Sequence, residues 1–366
     1  MTAKGCVAIN KYLLALNCHQ KIGSQRLKKI LAAFDDNIEK AWKSSNSEID
    51  RKLEPEIALL LKESQKLFDP VREIEKIKKL NIGYITIFDK EYPPQLKELP
   101  DAPVILYVKG NVKILKEPSL SVVGSRKFTP YGKMVAYKLS KESAEAGLVI
   151  VSGLALGIDA VAHSAALNAN GKTIGVLGCG LDRFYPANNI MLAKKIIETG
   201  GAIVSELSPG TPPMKQNFPV RNRIIAGLAL GTLVIEAAEE SGALITAYAS
   251  LDYNREVFAV PGNINSETSV GTNRLIQKGA KLVSSALDIF EELNIEVKKS
   301  DAKAKEILPQ TKEEEIILDL IAKKEMLVDN IIELSGLNII EVNTTLTMME
   351  MKGIIDNVGG RYRRKI

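Results

Sequence analysis

The chain has few of the residues that build redox, metal and hydrolytic centres. Cys6, Cys18 and Cys179 are its only cysteines, too few and too scattered for a disulfide framework or a zinc site. His19 and His163 are its only histidines, which leaves little material for a metal centre or a serine–histidine–aspartate triad. Aromatic residues are sparse, at 5% with one tryptophan. The longest apolar stretch, Ile224 to Ile235, falls well short of the ~18 residues that a membrane span needs. No N-terminal segment joins a basic start, a long apolar core and a small-residue cleavage site. The expectation is a reduced, cytoplasmic chain without cofactor or metal and without membrane contact. A one-sided charge is missing as well. The 49 basic and 44 acidic residues leave +5 over 366 residues, a weak pointer to an anionic partner.

What is present is an ordinary globular composition, 45% hydrophobic and 25% charged, on a length that suggests two or three domains. Residues 1–75 read as helical. Leu13, Leu14, Leu16, Leu27, Ile30 and Leu31 fall at helical spacing around a break at Lys21-Ile22-Gly23-Ser24. Two further helices are expected over Ile38 to Trp42 and Pro55 to Phe68. The break is either a helix-hairpin-helix that grips phosphates through loop amides or a simple packing turn.

From residue 80 the pattern changes to short apolar runs that open into small-residue loops and then into helices. Tyr84–Phe88 and Val104–Val108 come first. Leu120–Val123, Leu148–Val151, Thr173–Leu177, Ala202–Ser205, Thr232–Ile235, Val257–Val260 and Lys281–Val283 follow. Helical stretches such as Tyr131–Ala146 and Ile158–Ala169 lie between them. This alternation predicts an α/β fold, a doubly wound and mostly parallel sheet over 80–293. Residues 294–311 have linker composition. Residues 312–366 read as helix, helix-turn-helix and hairpin, a winged helix.

In such a sheet, ligands bind at the carboxyl ends of the strands, where loop amides and helix N-termini converge on anions. Gly124-Ser125-Arg126 offers close backbone approach, a hydroxyl and a planar charged fork. Ser152-Gly153 through Gly157 to Asp159 makes a glycine-spaced helix entry. It matches neither the GxGxxG fingerprint nor a P-loop, which disfavours a dinucleotide enzyme or a P-loop ATPase. Lys215, Asn217, Phe218, Arg221 and Arg223 place basic groups around an aromatic at a helix start, a combination that contacts phosphate while stacking a base. Arg221 and Arg223 diverge by ~200° on a helix, so one is expected to face the site and the other a neighbouring helix or carboxylate. Ser241-Gly242 starts a helix at the rim. The acidic run Glu236 to Glu240 is expected to be solvated or to partner those arginines. No nucleophile with its base, carboxylate pair or metal set emerges.

Taken in order, Val122–Arg126, Ser152–Asp159, His163, Tyr185-Pro186, Asn217–Ile225, Ser241–Ala247, Phe258–Gly262 and Gly271–Ala280 resemble the motifs of the DNA-processing protein A family, DprA, also called Smf. The resemblance implies an extended Rossmann-like domain that binds and protects incoming single-stranded DNA, self-associates as a homodimer and helps load the recombinase RecA in natural transformation and recombination. It also implies that Arg126 grips phosphate, that Lys215 and Phe218 are the basic and stacking residues of the pocket, and that Arg221 and Arg223 belong to its FPxRNR signature. Tyr253-Asn254-Arg255 departs from the pattern, since members commonly carry Gly before the Arg. An enzymatic alternative is a phosphoribohydrolase of the LOG type, for which Glu236 would be the catalytic carboxylate. Its doubled-glycine motif is missing.

Charge divides unevenly. Residues 1–75 hold 13 basic and 11 acidic groups, 76–311 hold 28 and 23, and 312–366 hold 8 and 10. A net acidic winged helix is expected to dock protein more than to read duplex DNA.

Overall fold

The computed structural model describes residues 11–295, 311–321, 325–351, 354–358 and 360–364. Most of the expected 294–311 linker, and Cys6, lie outside the described residues. The chain divides into two compact units, meeting in sequence at Glu296 and Val297.

The first unit opens with six helices: α1 (Lys11–Asn17), α2 (Ser24–Ala33), α3 (Ile38–Lys43), α4 (Asn46–Lys52), α5 (Pro55–Leu67) and α6 (Pro70–Lys79). Side-chain caps from Asn37, Ser45 and Asp69, and prolines at the first turns of α5 and α6, set their starts. Helices α4 and α6 went unread in the sequence because both are polar on most faces; each buries a single residue, Ile49 and Ile77. The turn between α1 and α2 serves packing: the Ser24 hydroxyl donates to Glu206 at 3.4 Å, and Leu13, Leu16, Leu27 and Ile30 are buried. That core also contains Ile105, Tyr107, Leu177 and Ile203 of the sheet region. The division expected between 1–75 and 80–293 is therefore no gap in packing.

The sheet has nine strands: β1 (Gly83–Thr86), β2 (Ile105–Gly110), β3 (Ser119–Val123), β4 (Val149–Ser152), β5 (Thr173–Val176), β6 (Ala202–Ser205), β7 (Gly231–Val234), β8 (Glu256–Ala259) and β9 (Lys281–Leu282). Their spatial order is β1-β2-β6-β5-β4-β3-β7-β8-β9. All pairs from β6 to β9 are parallel, while β1–β2 and β2–β6 are antiparallel. The central strands β3 to β7 are buried along their whole length, as expected of a parallel sheet covered on both faces. Short α7 (Pro94–Lys97) precedes β2; α8 (Pro130–Glu145), α9 (Ile158–Asn168), α10 (Ile190–Glu198), α11 (Asn217–Leu228), α12 (Gly242–Asp252), α13 (Val270–Gln277) and α14 (Ala286–Glu292) connect or follow the remaining strands. Leu120 and Val122 of β3 join a core with α8 and α9, while Val123 joins the core of α11 and α12. The chain runs outward from β3 through β4, β5 and β6, then returns to place β7 on the other side of β3. The loops after β3 and β7 thus leave in opposite directions, and a crevice opens between them.

The second unit packs α15 (Lys312–Ile321), α16 (Val328–Ser335) and α17 (Ile339–Met351) against a three-stranded sheet of order β10 (Met326–Leu327), β12 (Arg361–Arg364) and β11 (Ile355–Val358). Its core holds Ile317, Ile321, Ile331, Val342, Leu346 and Ile355. This is the expected winged helix. Among the described residues, no helix is long and apolar enough to cross a membrane.

Candidate nucleic-acid interface

A cleft of about 660 Å³ lies at the switch point of the sheet. Gly124, Ser125 and Arg126 line one wall, and Lys215, Phe218, Arg221, Ser241 and Gly242 line the other. A recess of about 50 Å³ beside it is lined by Arg126, Gly153, Tyr185, Pro186, Phe218 and Arg221.

Two close approaches hold the walls together. Gly157 has φ +92°, and a Cβ there would fall 2.3 Å from the Ser125 carbonyl oxygen. The glycine therefore lets the loops after β3 and β4 touch, and the Ile158 N–H donates to that same carbonyl at 3.2 Å. Gly153 has its N–H donated to Asp159 Oδ2 at 3.0 Å and its carbonyl accepting from Arg221 Nη1 at 2.6 Å. Arg221 also donates to the Val176 carbonyl and, through Nε, to Asn222 Oδ1 at 3.1 Å. It is 5% exposed, and burial lowers its pKa to about 10 while the Asp159 carboxylate opposes that shift. Burial likewise raises the Asp159 pKa, against the pull of Arg221. Arg221 is thus a fixed part of the floor.

Phe218 lies on this floor. Its ring is 5.9 Å from the Arg221 guanidinium, 5.7 Å from that of Arg126, and 5.7 Å from the Tyr185 ring at 32°. Half-buried, it presents an aromatic surface among cations. Arg126 and Lys215 are exposed, and neither has an ion-pair partner among the described residues.

Several expected site residues are engaged elsewhere. Arg223 pairs with Glu206 and with Asp101 Oδ2 at 3.5 Å, and donates to the Asp101 carbonyl at 2.7 Å. It does not line the cleft, so Arg221 is the arginine that faces it. The Ser152 hydroxyl is buried and donates to the Val122 carbonyl at 2.6 Å. Asn217 donates to the Pro212 carbonyl at 3.4 Å. Ser125 lines the cleft, but its hydroxyl closes a turn with both backbone groups of Lys127. Ser241 caps α12 by accepting from the Ala243 N–H at 3.3 Å. Gly157 acts through the loop contact described above.

Within the acidic run Glu239 and Glu240 are exposed as expected, Glu240 on the rim of the cleft, while Glu236 departs from expectation. Glu236 is buried, 2% exposed, and accepts from the N–H and hydroxyl of Thr129 at 3.0 and 2.5 Å and from Thr268 at 3.3 Å. It partners neither arginine and does not line the cleft, which removes the carboxylate on which the enzymatic alternative rested. Glu239 pairs with Arg274 at 2.7 Å. Tyr185, Pro186 and Asp159 also line the cleft or its recess; in the sequence only their membership of Tyr185-Pro186 and Ser152–Asp159 points to them. His163 is buried, bonded through Nδ1 to the Thr173 hydroxyl at 2.6 Å, and burial lowers its pKa to about 3. Cys18 and Cys179 are free thiols, pushed up to about 12 and about 11 by burial, which makes them poor nucleophiles.

The family model for DNA recombination-mediator protein A matches residues 83–294. The chain belongs to that family. A second model, the DprA winged helix domain, matches residues 301–361. Protein Smf of Escherichia coli is 37% identical over 352 residues, 93% of this chain and 94% of the relative. DNA processing protein DprA of Bacillus subtilis is 45% identical over 223 residues, 61% of this chain and 75% of the relative. Among solved structures, DprA of Streptococcus pneumoniae matches with a TM-score of 0.69 at 39% identity, covering 78% of this chain and 99% of that one. DNA processing protein A of Helicobacter pylori, described for its single-stranded DNA binding mode, matches at 0.53 and 33% identity, covering 59% and 97%.

Proposed function

We propose that this member of the DNA recombination-mediator protein A family binds single-stranded DNA in the switch-point cleft. It shields the strand and, as a homodimer, passes it to a recombinase of the RecA type during transformation and recombination. The chain acts here as a binder and not as an enzyme. Phe218 carries this reading: a half-buried ring among Tyr185, Arg221 and Arg126, beside two cations without carboxylate partners. A ring on which any base can stack, next to charges that any phosphate satisfies, suits a polynucleotide read without regard to sequence. The single-stranded DNA binding described for the Helicobacter pylori relative supports it.

The test is fluorescence anisotropy of the full chain with oligo-dT and with duplex of the same length, across a salt series. Single strands should bind more tightly and in a salt-dependent way, and Arg126→Ala should weaken them. Equal affinity for both forms, untouched by Arg126→Ala, would refute the reading. Transfer to the recombinase is checked by the RecA ATPase rate on a strand coated with single-strand binding protein, which the chain should raise.

A further inference from the structure

The basic loop that carries Arg126 does not end at the cleft. Residues 126–141 contain Arg126, Lys127, Lys133, Lys138 and Lys141 and no acidic residue. The stretch runs from the cleft wall through the Thr129 cap into α8. In a chain with only 5% aromatics, it also exposes Phe128 (37%), Tyr131 (44%), Met134 (62%) and Tyr137 (39%). Large apolar groups standing together on a helix surface call for an occupant.

The exposed positions form a stripe and its flank on α8. Tyr131, Met134, Lys138 and Lys141 follow one another at three- and four-residue steps, the spacing that stacks side chains along a helix face, and Lys133 and Tyr137, four apart, lie along one side of that stripe. Both phenols are tethered at their far ends: Tyr131 donates to the Pro261 carbonyl at 3.0 Å, and Tyr137 accepts from Asn168 at 3.3 Å. Their rings are held in place and remain partly open to solvent. Lys127, Lys133 and Lys138 have no ion-pair partner among the described residues, whereas Lys141 pairs with Glu145 at 3.3 Å. The uncompensated charge starts at the cleft and stops where Glu142 and Glu145 begin.

From this we propose a second segment of the binding site. A single strand leaving the cleft past Arg126 continues along α8, with bases against Phe128, Tyr131 and Tyr137 and phosphates near Lys127, Lys133 and Lys138. Alternating aromatics and unpaired lysines are what a flexible polyanion with stacking bases requires, and the face is continuous in sequence with the cleft wall. This inference rests on the cleft reading and extends it from a pocket to a path.

The experiment compares a short oligo-dT, matched to the cleft, with one several times longer, on the full chain. Wild type is set beside a Lys133→Ala/Lys138→Ala double variant, Tyr137→Ala and Lys215→Ala. The short strand should bind the double variant and Tyr137→Ala as it binds wild type. The long strand should bind both about tenfold more weakly, and the double variant should lower the salt slope by ~1.4, about 0.7 for each lost phosphate contact. If Lys215→Ala weakens both strands while the α8 variants change neither, the cleft stands and the path is overturned. Equal loss of short and long strands in the α8 variants also overturns it, as an effect on the cleft. If wild type binds neither strand, the cleft reading fails and the path with it.

Discussion

Gly153 and Arg221 exclude one another's space: a Cβ on Gly153 would lie 2.6 Å from Arg221 Nη2. The arginine fills the place of the missing side chain and bonds the glycine's own carbonyl. Gly153→Ala should displace the guanidinium, strand buried polar groups and cost about 1–3 kcal/mol. Because Phe218 rests beside that guanidinium, single-strand affinity should fall as well. Urea midpoints and oligo-dT anisotropy on the same variant check both effects.

Cations in and out of the cleft should separate by what their loss does. Lys215→Ala should leave stability within about 0.5 kcal/mol and lower the salt slope of single-strand binding by ~0.7. Phe218→Ala should remove stacking of ~1–3 kcal/mol from affinity. Arg223→Ala should leave Glu206 buried without its partner and cost about 3–5 kcal/mol of stability, with little change in the affinity of the protein that remains folded. Denaturation and binding curves on the three variants separate the two classes. A loss of affinity in Arg223→Ala as large as in Phe218→Ala, at full folding, would put that arginine back in the interface.

His163 should make the fold sensitive to acid. Its imidazole stays neutral in the folded chain down to about pH 3, against an ordinary value of 6.5. Between those values the unfolded chain binds the extra proton, so this residue's contribution to stability is complete above 6.5 and is lost as pH falls toward 3. His163→Gln lacks that titration. The stability gap between wild type and variant should therefore narrow from pH 7 to pH 4, read from urea midpoints at each pH.

Asn254 explains the departure from the family pattern in its turn. Its φ of +52° is left-handed, a conformation open to glycine and tolerated by asparagine. Asn254→Gly should be neutral or slightly stabilising, and Asn254→Ala should cost about 1 kcal/mol. Thermal midpoints of the two variants should move in opposite directions or differ by at least that margin.

The sheet was legible because its strands are buried on both faces. Apolar runs such as Leu120–Val123 therefore stand out without alternation, and the helices between them carry a clear period. The loops of the site were legible through glycine spacing and basic clustering. What the local pattern does not hold is rotation. Arg221 and Arg223 are near neighbours on one helix, and which of them meets the cleft depends on how α11 rolls against β5 and on Glu206, which follows the neighbouring strand β6 and is 17 residues away in sequence. Glu236 was misjudged for a similar reason: its partners, Thr129 and Thr268, are remote in sequence, so a buried cap looked like part of a solvated run. The winged unit shows the reverse. Helix α17 carries Glu341 and Glu350 and no lysine or arginine, visible in the sequence alone, and this sets it apart from helices that enter a major groove.

The switch point also fixes when the site comes into being as the chain is made. Arg126 stands after β3, Lys215, Phe218 and Arg221 of the facing wall arrive roughly 90 residues later in synthesis, and Ser241 and Gly242 complete that wall roughly 115 residues later. No shorter N-terminal product contains both walls in full. A chain that ends before β7 therefore carries the basic loop and the aromatic floor without the Ser241–Gly242 rim, and the cleft closes only once β7 has been laid beside β3.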